Sequence, residues 1–274
     1  MKKVASLLIL ALSLLLAACG SESSGGSASE EKKITFGATA GPYSDMVTKA
    51  IQPILEEKGY EVELIEFSDY IQPNKALANG DIDANLFQHL IYMESFAKEN
   101  DMELSELISV PTAPMGIYSN KFASMEDISE GATIAIPNDP TNAARAFLIL
   151  EDAGLITISA DADPLTVSEK DIDENVKNLK FEPIEAGQLP RAVESVDLSA
   201  VPGNFALAAS MNLLDALVLE NMPDQYRNRV VVNTKDLEAQ FAKDIKEAVE
   251  SAEFEAVIDE EFQGFGKPEW MLNR

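Results

Sequence analysis

The string Pro137-Asn138-Asp139-Pro140-Thr141-Asn142, followed by Arg145, is a pattern suited to holding an anion. A strand-forming run, Thr133 to Ile136, leads into it. Asp139 or Asn138 can cap the helix that follows, and Pro140 suits its first position. The free N–H groups and the dipole of a helix N-terminus favour negative charge. Arg145, early in that helix, leans its side chain back toward the same end. A guanidinium can grip a carboxylate through two parallel hydrogen bonds. Five arginines follow residue 18, at 145, 191, 227, 229 and 274. The same spacing also fits a surface arginine paired with one of the 47 acidic residues.

A second cluster is Asn85-Leu86-Phe87-Gln88-His89-Leu90-Ile91-Tyr92. If a helix starts near residue 88, His89 and Tyr92 share one of its faces. Tyr70, after an earlier strand, would sit beside them. Tyr70, Phe87, Tyr92 and His89 can wall an apolar pocket with polar tips, although aromatic core packing accounts for the same pattern. His89 by itself reads as a hydrogen-bonded structural histidine, not a catalyst or metal ligand. In Pro202-Gly203-Asn204-Phe205, Asn204 either caps the next helix or both donates to and accepts from a ligand. Asn228, just ahead of a strand at Val230, is equally open.

Composition removes several chemistries. Cys19 is the chain's one cysteine and His89 its one histidine. Disulfides, thiolate metal sites and polyhistidine zinc sites are excluded on that count, and no metal or other cofactor is expected. No G-x-S-x-G nucleophile turn occurs, so the chain does not read as an enzyme. A formal net charge of −26 argues against nucleic acid, whose binding rests on phosphate neutralisation.

The elements that must position these residues follow from hydropathy. Strands are expected at Ile34–Ala38, Glu61–Phe67 and Ala84–Leu86, and helices over Tyr43–Lys58, Ile71–Ala78 and Gln88–Asn100. This β-α-β-α-β order implies a parallel sheet covered by helices. The stretch Ser109–Ser119, with two prolines and a glycine, reads as a crossing into a second lobe. There, strands are expected at Thr133–Ile136, Phe181–Ile184, Leu198–Val201 and Ala216–Leu219. Helices are expected over Thr141–Ala153, Leu189–Val196 and Phe205–Leu213. A strand at Val230–Asn233 and a helix over Phe241–Ser251 follow. The fold class is therefore α/β, two lobes with a ligand cleft between them. The expected lobes are residues 34–113 with 229–274, and residues 114–228.

The N-terminus carries an address. Lys2 and Lys3 precede an apolar run, Val4 to Leu16, that is broken only by Ser6 and Ser13. It is short for a bilayer span, which needs roughly 20 residues, and suits a signal-peptide core. It ends in Leu16-Ala17-Ala18-Cys19-Gly20, which resembles the lipobox of bacterial lipoproteins. Residues 1–18 are then a signal peptide cut before Cys19, whose thiol carries the lipid. Their loss removes two lysines and no acid, taking the net charge from −26 to −28. Two or more acyl chains make a durable anchor. Residues 19–33 read as a flexible linker with a reach of about 20 Å. The expected location is the extracytoplasmic face of a cell membrane, held through the lipid.

Taken together, FSDY at 67–70, DIDANLFQH at 81–89, IPNDPTN at 136–142 and QLPR at 188–191 resemble the NlpA lipoprotein family. Its best-known members are the MetQ-type methionine-binding proteins of ABC importers. The resemblance covers Ile34 to about Trp270. It implies a type II periplasmic-binding-protein fold closing on one amino acid, L-methionine foremost. It also implies that the partners are a permease and an ATPase and that the receptor is a monomer. Carried over by position, Arg145 and Asn142 would hold the ligand carboxylate. Asn204 and Asn228 would bond its head group, and Tyr70, Phe87, His89 and Tyr92 would wall its side chain. Pro202, Phe205 and Leu90-Ile91 depart from the pattern of other members, which leaves D-methionine, a methionine dipeptide or another small amino acid open. Adhesion on the same fold is the alternative from another class.

Overall fold

Short runs of β-branched and aromatic residues alternate with segments of helical periodicity, and the chain folds accordingly into two five-stranded sheets covered by helices. A computed structural model describes residues 32–274; the expected signal peptide, the expected lipid-bearing Cys19 and the expected linker, through Glu31, lie outside the described residues.

The first lobe opens with β1 (Lys32–Thr39), α1 (Pro42–Met46), a π turn at Val47–Ile51 and α2 (Gln52–Glu57). The expected helix over 43–58 is thus continuous but carries a wider turn. Pro53 has no N–H to donate to the preceding turn, and such turns accommodate a break in the hydrogen-bond ladder. Then come β2 (Tyr60–Phe67), α3 (Gln72–Asn79), β3 (Ala84–His89), α4 (Leu90–Glu99) and β4 (Leu104–Ser109). Gly80 ends α3 in the left-handed conformation, φ 80°.

The second lobe runs through β5 (Gly116–Tyr118), β6 (Thr133–Pro137) and α5 (Pro140–Asp152). A small antiparallel pair follows, β7 (Ile156–Ile158) with β8 (Ile172–Asn175). Next are β9 (Lys180–Ile184), α6 (Leu189–Ala192), β10 (Leu198–Val201), α7 (Gly203–Ala208) and β11 (Val218–Leu219). The chain returns to the first lobe with β12 (Asn228–Asn233), α8 (Gln240–Val249), α9 (Ala252–Glu261) and α10 (Glu269–Leu272).

The first sheet has the order β2-β1-β3-β12-β4 and the second β11-β5-β10-β6-β9. As expected, β1, β2 and β3 are parallel. β12 is antiparallel to both its neighbours because it arrives from the other lobe and not through a helical crossover. It enters one residue ahead of the boundary expected at 229, with Asn228 opposite His89. Each lobe has its own apolar core. Phe36, Ile51, Leu55 and Phe254 are fully buried in the first, and Ile117, Ile134, Leu150 and Leu198 in the second.

Two segments, 110–115 and 220–227, carry the chain between the lobes. The first is pinned at its middle, where Thr112 forms an antiparallel bridge with Gly266 near the C-terminus. Gly203 lets α7 start against this segment. A Cβ there would overlap the Pro114 carbonyl oxygen and lie 2.7 Å from Ala113 Cβ.

Candidate functional site

All eight residues expected to bind ligand line one narrow cavity between the lobes. The first lobe supplies Tyr70 from the loop after β2, Phe87 and His89 from the end of β3, Tyr92 from the first turn of α4 and Asn228 from the start of β12. The second supplies Asn142 and Arg145 from the first turns of α5 and Asn204 from α7. The relevant edges are the carboxyl ends of β3, β6 and β10, where open α/β sheets place their ligands.

The anion end is built as follows. Asp139 caps α5, accepting from the Asn142 backbone N–H at 2.9 Å, from Asn142 Nδ2 at 3.1 and 3.2 Å and from the Thr141 hydroxyl at 3.0 Å. Of the two capping candidates, Asp139 therefore does the work. Burial pushes its carboxyl up from the usual range, against the pull of those donors and of Arg145. Arg145 is buried, which removes the reading of it as a surface arginine. Its Nε and Nη2 form a two-pronged pair with the buried carboxylate of Glu220. Glu220 thus occupies the Nε–Nη2 edge of the guanidinium. Nη1 is the remaining prong, and it points at Asn142 Oδ1, 3.4 Å away. Burial disfavours the guanidinium charge, and the facing carboxylate more than offsets this, holding the Arg145 pKa above its ordinary value. The Tyr226 ring packs against the guanidinium at 5.7 Å.

At the other end the aromatic rings gather around Tyr70. Its ring lies 5.7 Å from Phe87, 5.8 Å from Tyr92 and 4.9 Å from Phe205. The Tyr92 hydroxyl donates to the Tyr70 carbonyl at 2.9 Å. Burial pushes both phenols above their ordinary pKa, so they stay protonated and serve as donors.

His89 is not on a helix face with Tyr92, because β3 runs three residues further than expected. It is the N-cap of α4, and its Nδ1 accepts from the Tyr92 backbone N–H at 3.1 Å. That assigns the ring proton to Nε2, which donates to Asn142 Oδ1 at 3.2 Å across the cleft. Burial first, and then the nearby Arg145, lower its pKa to about 3, so the ring is neutral. Asn204 does not cap α7, whose cap is Pro202. Its Oδ1 accepts from the Tyr70 hydroxyl at 2.7 Å and its Nδ2 donates to Thr39 Oγ1 at 3.4 Å. Asn228 donates through its backbone N–H to Thr112 Oγ1 at 2.7 Å and through Nδ2 to the Phe87 carbonyl at 2.9 Å.

Asn74, Asn85 and Gln88, the last of which also lines the cavity, form a buried amide cluster. Asn74 Nδ2 donates to Gln88 Oε1 at 2.7 Å, and Gln88 Nε2 donates to Asn74 Oδ1 at 2.6 Å and Asn85 Oδ1 at 3.0 Å. Asn85 Nδ2 completes it on Asn74 Oδ1 at 3.0 Å. This fixes the end of β3, from which Phe87 and His89 reach the cavity.

Tyr43 in the lining, and Tyr226 and Glu220 behind it, were not among the expected residues. Tyr43 lines the cavity from α1 and accepts from the Ala113 N–H at 3.4 Å. Tyr226 stacks edge-on to His89 at 5.1 Å. Glu220 follows a strand at the ligand edge, a position shared by many of the 47 acids, so only three-dimensional proximity singles it out. Among the described residues no group of His, Cys, Asp and Glu side chains is placed to hold a metal.

The sequence profile of the NlpA lipoprotein family matches residues 34–270. The methionine-binding lipoprotein MetQ of Bacillus subtilis is 34% identical over 262 residues, 94% of each chain. The probable D-methionine-binding lipoprotein MetQ of Vibrio cholerae is 33% identical over 273 residues, 98% of each. A nutrient-binding protein from Burkholderia cenocepacia, solved bound to methionine, superposes with a TM-score of 0.80 at 38% identity, covering 84% of this chain and 97% of that one.

Proposed function

From this membership of the NlpA lipoprotein family, we propose that the chain is the substrate-binding lipoprotein of an ABC importer and that its ligand is L-methionine. The observation that carries the reading is the lining of the interlobe cavity, which combines the guanidinium of Arg145, the amides of Asn142, Asn204 and Asn228 and the rings of Tyr70, Phe87 and Tyr92. An α-carboxylate and ammonium suit the polar groups. A thioether suits the rings, since sulfur–aromatic contacts stabilise by about 0.3–1.5 kcal/mol each.

The crossings at 110–115 and 220–227, which join the two lobes, are the hinge. Ligand contacts available only in the closed form drive closure, and the closed body docks on a membrane permease served by an ATPase. The protein works as a monomer. No chemistry is done on the ligand: both ring nitrogens of His89 are spent on structural bonds. Cys19 carries the lipid and holds the body on the extracytoplasmic face. No helix among the described residues is long and apolar enough to cross a membrane. A second reading, D-methionine, is favoured by the name of the Vibrio cholerae relative.

The test is to purify the full chain in detergent, denature it and identify the released small molecules by mass spectrometry with chiral separation. L-Methionine is the expected species, with a calorimetric titration of the stripped protein to match. The D-enantiomer would replace the first reading by the second. A different amino acid, or no response across a panel of amino acids, would overturn both.

A further inference from the structure

Among the described residues, Arg145 is the one formally charged side chain lining the cavity. Its counter-charge lies behind it. Glu220 is outside the lining, with its side chain 4% exposed. Three donors fix its carboxylate: Arg145 Nε on Oε2, Arg145 Nη2 on Oε1 and the Met115 backbone N–H on Oε1 at 2.9 Å. Its own N–H reaches the Met115 carbonyl at 3.0 Å. Residue 220 opens the return crossing, so this carboxylate is tied to the other crossing through Met115. Asp139, also outside the lining, has its oxygens spent on Thr141 and Asn142 at the N-terminus of α5, whose dipole offsets its charge. Among the described residues no carboxylate side chain lines the cavity, whose lining includes the amides of Asn204 and Asn228.

We infer that Glu220 is a specificity-determining residue that makes the cavity electrically neutral and thereby selects a zwitterion over ligands of net charge. The inference rests on the amino-acid reading given above. A lone guanidinium in a buried site would favour any small anion, because a unit charge at contact distance is poorly screened there. With Glu220 paired to it, a bound carboxylate meets a directed N–H and little net field. A ligand that brings its own ammonium leaves no uncompensated charge buried. One that lacks the ammonium leaves a net negative charge, and one that lacks the carboxylate leaves a net positive charge, and each is costly without a partner. Glu220 also holds Nε and Nη2 away from the cavity, so that Nη1 alone is presented.

The experiment titrates three ligands of one shape and different charge into the detergent-solubilised full chain: L-methionine, its des-amino analogue 4-(methylthio)butanoate, and L-methioninamide. Wild-type protein is expected to prefer methionine over both. In Glu220→Gln the balance between methionine and the des-amino anion should move toward the anion by about tenfold or more, well within the Coulomb energy of one buried unit charge. The amide should weaken further. Glu220→Asp, which keeps the charge, should keep the wild-type order. Equal weakening of all three ligands in Glu220→Gln would mean a purely structural role and would overturn the inference, as would an unchanged order. If Glu220→Gln does not fold, Arg145→Gln combined with Glu220→Gln carries the test. It removes both charges together, so methionine should still be preferred to the anion; loss of that preference overturns the inference. Wild-type protein that binds none of the three overturns the methionine reading and this inference with it. Wild-type protein that binds methionine while Glu220→Gln keeps the order overturns this inference alone.

Discussion

The Tyr70 hydroxyl donates to Asn204 Oδ1 at 2.7 Å, and the two residues belong to different lobes. With His89 Nε2 to Asn142 Oδ1 it forms a pair of direct bonds across the cleft. Both exist only when the lobes are together, and both use residues that line the ligand cavity. Closure and recognition therefore draw on the same side chains.

Tyr70→Phe keeps the ring contacts with Phe87, Tyr92 and Phe205 and removes the cross-lobe donor. A net hydrogen bond is worth about 0.5–1.5 kcal/mol. Methionine affinity should fall by roughly threefold to tenfold, read by calorimetry, with little change in melting temperature. A large loss of folding stability would place the hydroxyl in the lobe core instead.

Arg145→Ala removes the Nη1 prong and strands Glu220 in a buried position. Methionine binding should weaken by more than about 2 kcal/mol. Folding stability should drop by about 3–5 kcal/mol, the usual result of breaking one side of a buried pair. Titration and denaturant unfolding separate the two effects, and an unchanged affinity would show that the ligand carboxylate is held elsewhere.

His89 is held neutral, with its pKa lowered to about 3 by burial and by Arg145. In the unfolded chain it titrates near 6.5. Its contribution is thus fully present above pH ~6.5 and is lost as pH falls toward 3, because the unfolded state takes up the proton first. Over that window the loss amounts to about 4 kcal/mol at most. The stability difference between wild type and His89→Gln, followed by unfolding at successive pH values, should narrow on acidification. Between pH 7 and 8, where the ring is neutral in both states, it should stay flat.

Asn74→Leu breaks the amide cluster at its shared acceptor, leaving Asn85 and Gln88 with unpaired buried groups. Each such group costs about 1–3 kcal/mol. The variant should be destabilised by at least about 2 kcal/mol. Its methionine affinity should also fall, since Phe87 and His89 hang on the strand end the cluster fixes. Asn74→Leu with wild-type stability would show that the cluster is dispensable.

The parts of the fold that the sequence made legible are those with strong local signals. Asp139-Pro140 marked the start of α5, Asn79-Gly80 the end of α3, and the apolar runs marked β1, β2, β6 and β10. The end of β3 was misread because Phe87, Gln88 and His89 suit either a strand or the first turn of a helix. Sheet pairing with β12 decides between them. β7 and β8 sit in an acidic stretch, ITISADADPLTVSEKDIDEN, with too little apolar periodicity to announce strands. At the site, four of the eight expected residues, Tyr70, Phe87, His89 and Asn142, lie in the family-like strings, the other four follow from the resemblance by position, and all eight line one cavity. Glu220 was invisible because its importance lies in facing Arg145 across 75 residues of chain, and no local pattern encodes a partner that remote.

The placement of β12 between β3 and β4 sets the order in which the polypeptide can finish folding. Until residues 228–233 have been made, β4 has no neighbour and the open edge of β3 is unpaired. The whole second lobe must be synthesised before the first sheet can close. Such distant pairings are slow to form because loop closure must be met before contacts compensate.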